Sequence, residues 1–358
     1  MHVFPTCLHP WTSFELDDGG DHLGPVRPCC WFKHDVGDMT VETAQEIWNG
    51  SGYVNLRAQM LAGTLPEGCP AQCPILAQGS LERRVYIGQL GRRPTRNQLT
   101  NLIEIVRRRT VLRSMPINVK ATPTLACNLN CVMCYQQHDA RIVLSDRAME
   151  ELLGILANAR LLRVQGGELF ASNAGLRFLG RLANDYPNVP IGLITNGTFP
   201  IAAGWNVFER LNLAWVIISL DASGAKTYRR IRMGGDWAQT WANVLRVCGL
   251  TQRHGDVRPG RRFPVYLSLT PMLNNYQELP TLLALARQAG ADVVVNPLTE
   301  SEATFHLDPF SHAELRPDLL DTLAIAQAYA ASHRMPMARA TIASFQALVH
   351  SVWGSEEV

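Results

Sequence analysis

The sequence predicts an α/β chain, a partial (β/α)6 TIM-like barrel with a small N-terminal metal-cluster domain and a helical C-terminal extension. Three observations carry that prediction. From Pro116 onward, six apolar strand-like runs alternate with helical patterns, the signature of a parallel sheet. Polar residues collect at the carboxyl ends of those runs, where parallel barrels bind their ligands. The nine cysteines fall into tight groups, whereas a disulfide framework would scatter and pair them.

At 358 residues, 47% hydrophobic and 18% charged, the chain is long enough for a large core and two domains. A formal net charge of +2 calls for neither nucleic acid nor a membrane. Residues 1–30 lack a basic start followed by an apolar run, and no stretch of about 18 apolar residues occurs, so a cytoplasmic protein is expected.

Residues 1–80 read as a metal-dependent module. Helices are expected from Val41 to Trp48 and from Ser51 to near Gly63. Large apolar residues look too sparse there for a stable core, so a metal is expected to hold the segments together. Four ligands are available: Cys7, one of Cys29 and Cys30, Cys69 and Cys73. Successive side chains point in different directions, so only one of the adjacent pair is expected to reach the metal, and Cys29 is favoured. Iron–sulfur and zinc both remain open on spacing.

Residues 81–114 form a linker, helical in its second half, with nine arginines against Glu82 and Glu104. It is either a solvated connecting helix or a contact surface for an acidic peptide or a phosphate-bearing substrate.

Residues 115–300 are the barrel. Strands are expected at Ile117–Ala121, Leu161–Val164, Ile191–Ile194, Trp215–Leu220, Val265–Leu269 and Val293–Val295. Helices are expected at Ser145–Ala159, capped by Ser145, at Leu176–Ala183, and at Leu279–Ala289, stopped by Gly290. Cys127, Cys131 and Cys134 follow the first strand at C-x3-C-x2-C. Three thiolates can hold three irons of a [4Fe–4S] cluster and leave the fourth open for a small molecule. A structural zinc site would need a fourth ligand, for which His138 is the nearby candidate. Cys248 sits in a helical pattern and reads as core. Residues 301–358 are mostly helical and carry no legible motif.

These ordered motifs resemble the radical S-adenosylmethionine (SAM) enzymes from about Ile117 to Pro297. The resemblance implies that Cys127, Cys131 and Cys134 ligate a catalytic [4Fe–4S] cluster whose open iron binds SAM. It implies that Gly166-Gly167-Glu168 holds the SAM amino group, and that Thr195, Asn196 and Ser219 lie near its methionine and ribose. Asp221 becomes a ribose candidate, Arg232 the partner of the SAM carboxylate with Arg229 close behind, and Asn296-Pro297 the neighbour of adenine. The residue before the third cysteine is often aromatic in that family, and here it is Met133. The first 80 residues resemble the SPASM and shorter twitch modules through C-L-H-P-W, P-C-C-W, E-I-W-N-G and C-P-A-Q-C. That likeness implies one auxiliary cluster, expected to be [4Fe–4S].

The implied activity is reductive cleavage of SAM to a 5′-deoxyadenosyl radical, which abstracts hydrogen from a substrate carbon. Oxidation, cross-linking or epimerisation of a ribosomally made peptide is the first substrate reading. The alternatives are a dehydrogenase, epimerase or rearrangement enzyme of a small sugar or amino-acid-derived intermediate, and a non-enzymatic iron–sulfur or zinc protein. A flavodoxin or ferredoxin would supply electrons. Tyr135, His138, Glu300 and Cys30 are the candidates for contact with substrate.

Overall fold

The computed structural model describes residues 5, 7–18, 22–71, 73, 86–88, 90–91, 93–136, 139, 141–252, 263–298 and 304–353. Its strands are β1 (Ser13–Asp18), β2 (Leu23–Arg27), β3 (Gly37–Asp38), β4 (Asn118–Ala121), β5 (Asn130–Cys131), β6 (Leu161–Val164), β7 (Ile191–Thr195), β8 (Leu213–Ser219), β9 (Arg232–Met233), β10 (Val265–Leu269) and β11 (Asp292–Val295). All six strands expected of the repeating part are present, within two residues at each end. The chain divides into two compact units, Met1–Ala126 with Asp139–Gly192 and Asn206–Asn212, and Cys127–His138 with Leu193–Trp205 and Leu213–Val358.

In the first unit β4 pairs in parallel with both β1 and β6, while β1 continues antiparallel to β2 and β2 to β3. These three N-terminal strands were not expected. S-F-E-L-D-D mixes acidic residues into its alternation and so does not read as a strand until a neighbour pairs with it. The helices meet expectation more closely. Ala44–Asn49 starts at Thr43 through a reciprocal capping box with Glu46, and Ser51–Ala62 ends on Gly63. Asp146–Ile155 is capped by Ser145, and Asn173–Asp185 extends the predicted helix at both ends because Ser172 caps it.

Large apolar side chains of the N-terminal segments are fully buried within the first unit, against the expectation that they are too sparse for a core. Trp11, Phe14, Leu16, Met39, Ile47, Trp48 and Tyr53 are all fully buried. Trp48 and Tyr53 meet edge to face at 4.7 Å, with Phe14 stacked 6.4 Å from Tyr53. Polar tips are satisfied: Trp11 Nε1 donates to Arg109 O, Trp48 Nε1 to Ser114 O and Tyr53 OH to Ser13 O, at 2.7–2.8 Å. Four aromatics bury more area than their number suggests, which a residue count along separate segments underestimates.

In the second unit β10 lies between β8 and β11, all parallel. Strands buried on both faces need continuous apolar runs, and V-V-V and V-I-I supply them. The helix Leu279–Ala289 matches prediction and stops at Gly290 in the left-handed conformation. Two C-terminal helices follow, Arg316–Ser332 and Pro336–Trp353. The second is pinned to β11: the Asp292 carboxylate accepts from Met337 N and Ala338 N, and Thr341 Oγ1 accepts from Val295 N. Cys248 is buried, and burial pushes its thiol up to about 11, as a core residue's should be. Among the described residues no helix is long and apolar enough to cross a membrane.

Candidate functional site

The cysteine loop is fixed at its middle by a two-residue ladder. β5 pairs antiparallel with β9, placing Cys131 opposite Arg232, and Val132 N donates to Ile231 O at 3.0 Å. Arg232 Nη1 therefore reaches Cys131 Sγ at 3.4 Å, while Nη2 pairs with the fully buried Asp221. Burial works against the Arg232 guanidinium, yet Asp221 and Cys131 hold its pKa above the ordinary value. Asp221 is itself locked: its Oδ1 accepts from Thr270 N at 2.7 Å and its carbonyl from Asn275 Nδ2 at 3.0 Å. Its φ of 55° is a rarely populated conformation for a residue with a Cβ, and these bonds over-determine it.

Cys127 Sγ accepts from Leu129 N at 3.5 Å and from Asn196 Nδ2 at 3.9 Å. Asn196 is held in turn by Asn128 Oδ1 at 3.1 Å and by Thr198, whose hydroxyl and backbone N–H both donate to Asn196 Oδ1. All three loop thiols are half-buried. Met133 and Val132 pack against Ile231, Met272 and Leu307, so the position filled elsewhere by an aromatic is here part of an aliphatic cluster.

This donor set fits an iron–sulfur cluster. N–H groups and a guanidinium aimed at cysteine sulfurs are what tune and stabilise a ligated cluster. Among the described residues no group of three or more His, Cys, Asp or Glu side chains is drawn together around a common point. Arg232 Nε is buried without a hydrogen-bond partner, a cationic donor left over beside Cys131.

In the first unit, Gly166-Gly167-Glu168 lies directly on the residues that lead into Cys127. Gly167 N donates to Thr124 O at 2.9 Å and Glu168 N to Ala126 O at 2.7 Å. A Cβ on Gly167 would lie 2.2 Å from Ala126 O, so only glycine permits this approach. Glu168 is fully buried, and its Oε1 accepts from Phe170 N. In the second unit Thr195 Oγ1 accepts from Gly197 N and shapes the turn after β7. Ser219 ends β8 in register with Ser268 of β10, and Ser268 Oγ accepts from Asn296 Nδ2 at 3.1 Å. Ser268 was missed from sequence. Its signal is the one aliphatic hydroxyl in V-Y-L-S-L, one residue before the strand's carboxyl end.

The N-terminal cysteines contrast with the loop. Cys7, Cys29 and Cys73 are buried and Cys69 half-buried. Cys29 packs with Phe32 and Leu56, and Cys69 packs against that cluster. Burial pushes the Cys29 thiol up to about 12, and burial together with Cys73 raises that of Cys69. Cys30 instead is exposed. Its thiol is raised by burial of its surroundings and by Glu15, and lowered by Arg163 and Lys120.

Those three charges form a cross-strand row: Glu15 pairs in register with Lys120 and Lys120 with Arg163. Glu15 Oε2 lies 3.1 Å from Arg163 Nη2 and 3.8 Å from Lys120 Nζ. The row was missed too, although N-V-K-A and L-L-R-V carry their cations at the same third position. Tyr135 is exposed, Arg229 Nε donates to Ala225 O, and His138 and Glu300 lie outside the described residues.

Residues 122–256 match the Radical SAM superfamily, and residues 7–74 match SPASM, an iron–sulfur cluster-binding domain. Among solved structures the chain is similar to SuiB of Streptococcus suis bound to S-adenosylmethionine, with a TM-score of 0.46 at 13% identity, covering 70% of this chain and 60% of that one. It is also similar to TYW1 with a lysine-pyruvate adduct bound (0.41, 14%, 59% and 72%). A further similarity is to the methyltransferase TsrM of Kitasatospora setae with tryptophan and a SAM analogue (0.38, 11%, 50% and 35%). This chain thus spans about three fifths of the SuiB chain. No protein with a curated description matches.

Proposed function

We propose, from the premise that residues 122–256 belong to the radical SAM superfamily and residues 7–74 to the SPASM cluster-binding domains, that this protein reductively cleaves SAM and abstracts hydrogen from a peptide substrate. When bound, the [4Fe–4S] cluster and SAM supply a 5′-deoxyadenosyl radical. The observation that carries the reading is the cysteine loop, whose half-buried sulfurs receive N–H donors from Leu129, Asn196 and Arg232.

In this reading Cys127, Cys131 and Cys134 ligate the cluster. The spare Nε of Arg232 meets the SAM carboxylate. Asp221 holds Arg232 in place, because both its carboxylate oxygens are engaged by protein donors. Ser219, Asn296 and Ser268 supply polar groups for the nucleoside. Cys7, Cys29, Cys69 and Cys73 hold an auxiliary cluster in a closed, apolar setting that excludes water. Cys30 stays a free thiol beside the Glu15–Lys120–Arg163 row. A flavodoxin or ferredoxin reduces the protein in the cytoplasm.

A peptide is favoured over a small metabolite because Arg93, Arg96, Arg107, Arg109 and Arg113 are exposed, with no ion pair among the described residues. The test is anaerobic reconstitution followed by chromatography for 5′-deoxyadenosine after reduction. The wild type should hold roughly eight irons per chain, two four-iron clusters, and form 5′-deoxyadenosine. Replacing the three loop cysteines by Ala should abolish it. Continued formation would remove the assignment, and zinc without SAM cleavage would make this a structural metal protein.

A further inference from the structure

The helix Arg96–Val106 is built inside out. Its buried face carries Gln98, Asn101 and Glu104 beside Ile105, while Leu99, Ile103 and Val106 are 46%, 51% and 46% exposed. The buried polar residues are all employed. Gln98 closes a capping box with Thr95, and Asn101 donates to Trp11 O and Ser114 Oγ and accepts from Tyr86 OH. Glu104 accepts from Arg113 N, Ser114 N and Ser114 Oγ. Structural demand therefore accounts for the polar face, and leaves the apolar one exposed among the described residues. Positions 99, 103 and 106 recur at i, i+4 and i+7, which lines their side chains into one stripe. A contiguous exposed stripe that breaks the usual inside–outside pattern points to an interaction surface.

The charges around the stripe say what covers it. Exposed Arg93 and Arg96 precede it and exposed Arg107, Arg109 and Arg113 follow it, none in an ion pair among the described residues. The helix's one acidic residue, Glu104, is buried and bonded to its own chain. A second copy of this chain docking through the same stripe would set arginines against arginines in either direction, since both ends are cationic. We propose that the stripe binds an acidic, amphipathic peptide segment, its apolar side chains on Leu99, Ile103 and Val106 and its carboxylates on the flanking arginines. This deepens the peptide reading above and rests on it. It makes the segment a tether that holds substrate while another part of the same peptide meets the chemistry.

The test uses reconstituted holoprotein and a fluorescein-labelled 18-residue probe of Glu, Ala and Leu, with Leu at i, i+3, i+4 and i+7. A control probe has the same composition with its Leu residues scattered. Anisotropy should show the amphipathic probe binding at least about tenfold more tightly than the control, and more weakly as salt rises. Ile103→Glu, or independently Leu99→Glu, should weaken it about tenfold or more. The pair Arg107→Glu with Arg109→Glu should do the same and flatten the salt dependence. Equal binding of the two probes, or variants that bind like wild type, overturns the proposal. So does a wild-type dimer in sedimentation that Ile103→Glu converts to monomer, since a second copy would then own the stripe. Formation of 5′-deoxyadenosine by the wild type without peptide is measured alongside. Its presence without probe binding defeats the tether alone, and its absence with probe binding defeats the radical chemistry alone.

Discussion

Seven of the nine cysteines fall into two sets with opposite surroundings. Cys127, Cys131 and Cys134 stand half-buried in a loop furnished with N–H donors and a buried arginine. Cys7, Cys29 and Cys73 are buried, with Cys69 packed against Cys29, Phe32 and Leu56. The same side chain thus stands half-buried among polar donors in one setting and packed among apolar residues in the other. The way each setting is braced differs as well. The loop leans on the ion pair Arg232–Asp221, the N-terminal module on an aromatic core around Arg57.

The largest effect should come from breaking the loop's brace. Arg232→Met leaves Asp221 buried with one partner gone, which costs about 3–5 kcal/mol for a buried pair that loses one member. Chemical denaturation should read that loss, and Asp221→Asn added to it should recover part. A smaller loss would mean that the loop is braced elsewhere.

Next in size is Arg57, which stacks on Trp48 and Tyr53 at 4.5 and 5.1 Å and donates to Pro10 O and Thr110 O. Arg57→Met keeps the stem but removes the cation–π contacts and leaves two carbonyls without their donor, roughly 2–3 kcal/mol. The N-terminal iron should be lost from this variant before the loop iron does. Loss of both in step would erase the distinction between the two settings.

The smallest effect tests the free thiol. Desolvation by the groups packed around it, and Glu15, raise the thiol of Cys30, so its alkylation by iodoacetamide should keep accelerating with pH beyond the ordinary thiol range. Glu15→Gln removes one raising cause and should speed alkylation about twofold at pH 8. No alkylation of Cys30 in the holoprotein would instead make it the fourth auxiliary ligand in place of Cys29.

Much of this was legible in the residues. The six repeating strands are apolar runs bounded by turn residues, and Ser145, Gly63 and Gly290 announce helix ends by local chemistry. The cysteine spacing and Gly-Gly-Glu stand out because each is a contiguous pattern, and the close approach of Gly167 to Ala126 O accords with its glycine. What stayed hidden depends on register and packing between distant segments. Glu15, Lys120 and Arg163 become one row only when β1 joins β4, and Arg57 becomes buried only when residues 10, 48, 53 and 110 meet around it. The helix Arg96–Val106 was legible only as the helical half of an arginine-rich linker; which of its faces the fold buries was not.

The central claim is that the loop set binds SAM and the N-terminal set does not. Electron paramagnetic resonance of the reduced protein, before and after SAM, tests it on two variants. With Cys7→Ala and Cys69→Ala, about four irons should remain, and SAM should change the cluster signal. With Cys127→Ala, Cys131→Ala and Cys134→Ala, the remaining signal should be indifferent to SAM. A SAM-induced change in the second variant, or none in the first, would contradict the account.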